Sequence, residues 1–207
     1  MNSPSPGVSS LTHDDLGSKA QRDRHQRILD ATIALASQGG FDAVQMRAVA
    51  DRAEVALGTL YRYFPSKVHL LVSALAREFE QANESFARKP LLGETRAERL
   101  VAVLHSATKS LQRDPHLTEA LTRAFMFADA SVGDESRAVA HQVTRLLMRA
   151  LAEPGQEIDD PTDEQLAIAK VVSDVWLAGV VQWVTGRATA EEVTTSLDTT
   201  VRLLLRP

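Results

Sequence analysis

Apolar residues recur at spacings of three and four along most of this 207-residue chain, the period of helices that turn one face to a core. Ile28, Leu29, Thr32, Ile33, Leu35 and Ala36 make a broad stripe on a helix that begins near Ser18. Gly39-Gly40 ends it, where a left-handed cap is easy. Met46, Val49, Ala50 and Ala53 give a short second helix, and Leu57 to Phe64 a third. Pro65 stops that one, and Ser66 is an N-cap for a fourth that runs to about Lys89-Pro90. Thr95 with Glu98, Thr162 with Gln165 and Thr189 with Glu192 are capping boxes, each opening an apolar-periodic run. Asp114-Pro115 sets an N-cap before a first-turn proline. Val139, Val143, Leu146, Leu147 and Ala150 form one later stripe, and Val193, Leu197, Val201 and Leu204 another. Residues 153–161, with Pro, Gly and acids, read as a loop between them. No segment sustains a period of two, so the pattern predicts an all-α protein of about nine or ten helices.

One helix differs from the rest. From Leu166 to Val184, apolar residues cover nearly the whole circumference, and Trp176 and Trp183 lie seven apart on it. A helix apolar all round must be covered on all sides. It is either the centre of the body or shared with a second copy of the chain.

Charge then divides the chain. The net charge is -4, which alone argues against a nucleic-acid partner. Residues 1–17 hold two acids and no base, and their Ser, Pro and Gly content reads as a flexible tail. Residues 18–69 hold eight Lys/Arg against five Asp/Glu, whereas 70–207 hold fifteen against twenty. A basic module at 18–69 joined to an acidic body at 70–207 points to nucleic acid contacted by one end. With no cysteine there is no disulfide, thiolate metal site or Cys nucleophile. No apolar run approaches the roughly 18 residues of a membrane span, and the N-terminus lacks the basic and apolar regions of a signal peptide. The expectation is a soluble cytoplasmic protein without a membrane partner.

Both tyrosines of the chain fall in Gly58-Thr59-Leu60-Tyr61-Arg62-Tyr63-Phe64-Pro65-Ser66-Lys67. The second and third helices are separated only by residues 53–58, the spacing of a helix-turn-helix, whose second helix can enter the major groove. On a helical wheel Leu60 and Phe64 fall together and face the core, and Arg62 points away with Gly58 and Thr59 beside it. Tyr61 and Tyr63 take the flanks. Arg62 can then bond a guanine's O6 and N7 while both phenols donate to phosphates. Gly58 lets the backbone approach closely, and Lys67 stands in the first turn of the next helix, whose positive end favours a phosphate.

Residues 45–75, QMRAVADRAEVALGTLYRYFPSKVHLLVSAL, resemble the DNA-binding motif of the TetR family of transcriptional repressors, with its glycine, Leu-Tyr pair, aromatic pair and following lysine. The resemblance implies a three-helix DNA-binding domain ahead of a larger helical domain that binds a small molecule and dimerises. It also implies DNA contacts at Gln45, Met46, Arg47, Ala56, Leu57, Gly58, Tyr61, Arg62, Tyr63 and Lys67. Many members carry Ser, Thr or Lys where this chain has Ala56 and Leu57, so those two positions are left with thymine methyls or simple space-filling. RAFMFADAS (123–131) and VVSDVWLAGVVQWVTGRA (171–188) are similar to repressors of actinobacterial sterol catabolism within that family. That narrower similarity implies a steroid ligand, an acyl-CoA thioester of a cholesterol-degradation intermediate. Dimerisation is expected to pack helices 134–153 and 163–186 of two copies into a four-helix bundle. The recognition helices would then stand about 34–36 Å apart on a palindromic operator.

Catalysis finds no support. The six histidines are scattered without metal spacing, and neither a GxSxG nor a phosphate-cradling glycine loop occurs. No cofactor is expected. Phe125, Met126 and Phe127 cannot share one helix face, so packing on a neighbouring helix and lining an apolar cavity both explain them. The same two explanations apply to Trp176 and Trp183. The candidate ligand-lining residues are Leu104, Leu121, Phe125, Met126, Trp176 and Trp183. The competing readings are a regulator answering another hydrophobic ligand, and a helical adaptor whose apolar helices bind protein partners.

Overall fold

The computed structural model describes residues 18–88, 90–152, 156–157 and 160–206. The expected tail at 1–17 lies outside them, as does much of the expected loop at 153–161. The described residues form nine α-helices and no strand: α1 (Lys19–Ala43), α2 (Met46–Arg52), α3 (Leu57–Tyr63), α4 (Lys67–Ala87), α5 (Arg96–Leu111), α6 (Pro115–Met126), α7 (Gly133–Leu151), α8 (Asp163–Val184) and α9 (Ala190–Leu204), with a 3-10 turn at Ala130–Val132 before α7.

The helix starts are fixed by side chains that satisfy orphan backbone N–H groups. All three expected capping boxes form, at Thr95 with Glu98, Thr162 with Gln165 and Thr189 with Glu192. A fourth, Ser18 with Gln21, opens α1. Near the other end of α1 the helix is interrupted at Gly39 and Gly40, then continues for one turn.

Packing divides the chain into two units, and α4 and α7 contribute to both. Of the described residues, the first holds 18–77 together with Pro115–Val139. Here α1 packs along α6, α2 against α1, and α3 against α2. Ile28, Val49, Leu60, Phe64, Leu70 and Leu71 are wholly buried, each such side chain stabilising the fold by about 1.5–3 kcal/mol relative to exposure. Ala120, Leu121 and Ala124 of α6 are buried, and α6 belongs with α1.

The second unit holds Glu78–Asp114 and residues from Ala140 onward. Leu100, Leu104, Leu146, Leu147, Val172, Trp176 and Leu197 gather in its core. The last carbonyls of α7 are satisfied by side chains from elsewhere in the unit. Arg99 Nε donates to Ala150 O at 3.1 Å, and Gln165 Nε2 donates to Leu151 O at 2.9 Å.

The expected four-helix bundle from 134–153 and 163–186 is corrected on one side. The α7 stripe is used up within the chain, because Val139, Leu146, Leu147 and Ala150 are already buried. The all-apolar helix α8 divides its circumference. Ile168, Val172, Trp176 and Val180 are buried, whereas Leu166, Val171 and Leu177 are 41%, 44% and 38% exposed. Length and composition alone would let α8 cross a bilayer. Its buried side is instead a wall of the second unit's core.

Candidate nucleic-acid interface

Helix α2 and helix α3 are joined by four residues, Ala53 to Ala56. Val55 N–H closes the turn on Ala50 O at 3.0 Å. Glu54 takes φ 54°, the left-handed conformation that costs a side-chain-bearing residue about 1 kcal/mol or more. The chain turns tightly enough to bring α3 across α2.

Three residues bind α3 to the core. Leu60 and Phe64 are wholly buried, as their shared wheel position requires, and Tyr63 is 2% exposed. Its ring lies 6.3 Å from His25 and 6.4 Å from Phe64. The expectation that Tyr63 flanks the groove-facing side is therefore corrected. Positions 60, 63 and 64 are i, i+3 and i+4, one face of a helix, and a helix of seven residues needs all three to hold it.

The opposite face is open. Ala56, Leu57, Gly58, Tyr61 and Arg62 are exposed, Tyr61 to 46%. A Cβ built on Gly58 would meet nothing within 4 Å, so nothing inside the chain demands glycine there. No described residue pairs with Arg62. At the start of α2, Gln45 and Arg47 are exposed and Met46 is half-buried.

Lys67 begins α4 in a surrounding the sequence did not reveal. Its Nζ stands 3.8 Å above the centre of the Phe41 ring, and Arg123 of α6 lies 4.6 Å from the same centre. Arg123 pairs with Asp42 at 3.3 Å and with Glu119 at 3.5 Å. Glu119 also accepts the Phe41 N–H at 2.8 Å. Partial burial holds the Lys67 ammonium below its ordinary pKa, and Asp42 opposes that shift. Behind it, Ser66 lies 2.9 Å from His69 Nδ1, and His69 Nε2 lies 3.1 Å from Ser131 O. These partners are distant in sequence, and the one local signal was an aromatic directly after Gly39-Gly40.

The candidate ligand residues fall in both units. Leu121 is buried and Phe125 half-buried in the first, and Met126 is 59% exposed at the end of α6, so it lines no interior there. The buried face of α6 runs through Thr118, Ala120, Leu121 and Ala124 instead. In the second unit Leu104 is wholly buried, and Trp176 donates from Nε1 to Thr108 Oγ1 at 3.0 Å with Phe79 edge-on at 5.9 Å. Trp183 packs half-buried against that core.

Two family models together span most of the chain. Residues 28–74 match the family of bacterial regulatory proteins called tetR, and residues 93–204 match the tetracyclin repressor-like C-terminal domain. The chain is 55% identical over 198 residues to the HTH-type transcriptional repressor KstR of Rhodococcus jostii, covering 96% of this chain and 90% of that one. It is 52% identical to KstR of Mycobacterium tuberculosis, covering 96% and 88%. A TetR transcriptional regulator from Rhodococcus sp. RHA1, 31% identical, superposes with a TM-score of 0.81 over 91% of this chain and 98% of that chain.

Proposed function

The chain belongs to the TetR family of transcriptional regulators as a repressor similar to KstR, and from that premise we propose that it binds a palindromic operator as a homodimer, controls sterol-catabolism genes and is released by a steroid acyl-CoA. The observation that carries the DNA reading is the two-sided recognition helix: Leu60, Tyr63 and Phe64 anchor it, while Arg62 and the unobstructed Gly58 are turned outward. A helix-turn-helix presents its second helix in this way to the major groove. Arg62 then reads a guanine, Tyr61 donates to a phosphate, and Gln45, Met46, Arg47, Ala56 and Leu57 complete the contact. The exposed side of α8, with Leu166, Val171 and Leu177, is the surface a second copy covers.

The ligand reading rests on the similarity at 123–131 and 171–188 and on the identity to KstR over nearly the whole chain. A ligand releases the operator only in so far as it binds the released conformation more tightly than the DNA-bound one. A gel shift tests this. A steroid acyl-CoA, titrated into the complex of the full chain with a duplex it has itself selected from a random pool, should free the DNA. A panel of such thioesters that leaves the complex intact removes the sterol reading and leaves the repressor standing.

A further inference from the structure

We infer that Phe41 is a positioning residue for operator binding: its ring seats the Lys67 ammonium for a DNA phosphate, and Glu119 anchors the backbone that carries the ring. The inference rests on the DNA reading above and adds to it the part of the chain that prepares Lys67.

Lys67 has two carboxylates in its neighbourhood, and both are taken. Arg123 engages Asp42 and Glu119 at once. Among the described residues Lys67 has no ion-pair partner of its own. Its ammonium rests on the Phe41 ring at 3.8 Å. The distinction matters chemically. A carboxylate neutralises an ammonium and must be displaced before a phosphate can bind. An aromatic face attracts the cation through its quadrupole and leaves the positive charge uncompensated. A partly desolvated lysine that no carboxylate pairs with directly gains from an anion arriving at the start of α4, where the helix end adds to the attraction.

The ring is itself held. Phe41 follows Gly40, whose φ of 68° and ψ of -158° kink α1 sharply. The Phe41 N–H freed by that kink donates to Glu119 at 2.8 Å. Phe127 packs on the ring at 6.1 Å between centres. The charge-assisted hydrogen bond anchors the Phe41 backbone, and Phe127 and Arg123 lie against the ring that it carries.

The test is a set of binding isotherms on the wild-type-selected duplex, each over a range of salt. Lys67→Gln should weaken binding and lower the salt slope by about one phosphate per half-site. Phe41→Leu should weaken binding about three- to tenfold and lower the slope in the same direction, whereas Phe41→Tyr should keep both near wild type. In the Lys67→Gln background Phe41→Leu should have no further effect. Phe41→Met supplies a second non-aromatic side chain if the leucine variant melts early. Equal losses from Phe41→Leu with and without Lys67 would overturn the inference, since Phe41 would then act by packing alone. An unchanged slope in Lys67→Gln overturns it through Lys67. If the wild-type chain selects no duplex, the DNA reading falls first and this inference with it.

Discussion

Glu119 Oε2 accepts the Phe41 N–H at 2.8 Å, and the same oxygen lies where a side chain on Gly40 would go. A Cβ there would stand 2.5 Å from Glu119 Oε2. Gly40 also adopts backbone angles that residues other than glycine hold at a cost of about 1–3 kcal/mol. Gly40→Ala should therefore strain the backbone and push the carboxylate off its N–H. Urea unfolding should show a loss of about 2 kcal/mol or more. An unchanged midpoint would mean that α1 and α6 do not depend on this junction.

Gly58 is the opposite case. It lies inside α3 with helical angles and open space around it, where glycine costs about 0.5–1 kcal/mol relative to alanine. The fold does not require it, and the DNA reading proposed above gives the open space to a partner. Gly58→Ala should raise the unfolding midpoint by that increment and weaken operator binding. A variant both more stable and equally tight on DNA would show that no partner approaches this backbone.

In the second unit the test falls on Thr108, 1% exposed and the acceptor for the Trp176 indole at 3.0 Å. Thr108→Val keeps the shape and leaves a buried N–H unsatisfied, at a cost of about 1–3 kcal/mol. A chemical melt with tryptophan fluorescence reads the loss. A neutral substitution would place a water or another acceptor at the indole.

Acid should act through the capping boxes. Hydrogen bonds from the Thr95 and Thr189 backbone N–H groups hold the carboxyls of Glu98 and Glu192 below the usual value. A depressed folded-state pKa means that the stabilising contribution is complete above the ordinary carboxylate value of about 4.3 and is lost as pH falls through the lower folded value. Thermal melts of a Glu98→Gln/Glu192→Gln variant should therefore fall less steeply below about pH 4 than those of the parent. Glutamine already serves in the boxes at Gln21 and Gln165. Parallel profiles would show that the two carboxyls are not coupled to folding.

Much of this fold was legible because its signals are local. The capping boxes, the Pro65 break and the Leu60/Phe64 anchor act over three or four residues, and each lies where the sequence placed it. Tyr63 was misplaced by giving both tyrosines the same role. The wheel puts position 63 within 60° of Leu60, which already pointed inward. The surroundings of Lys67 were not legible, since Phe41, Glu119 and Arg123 reach it only when α1, α4 and α6 fold together. The face of α7 was equally hidden. Its stripe is regular, and a regular stripe does not say whether its cover comes from the same chain or from a second one.

The most direct measurement is the sequence preference of Arg62→Ala beside the wild-type chain, on the selected duplex and each of its single-base variants. The expected result is a palindromic site, a loss of about 1–3 kcal/mol for the variant, and relaxed preference at one base pair in each half-site. An equal loss on every duplex would move Arg62 to the phosphate backbone. Absence of saturable, salt-sensitive binding by the wild-type chain would contradict the claim that α3 reads DNA.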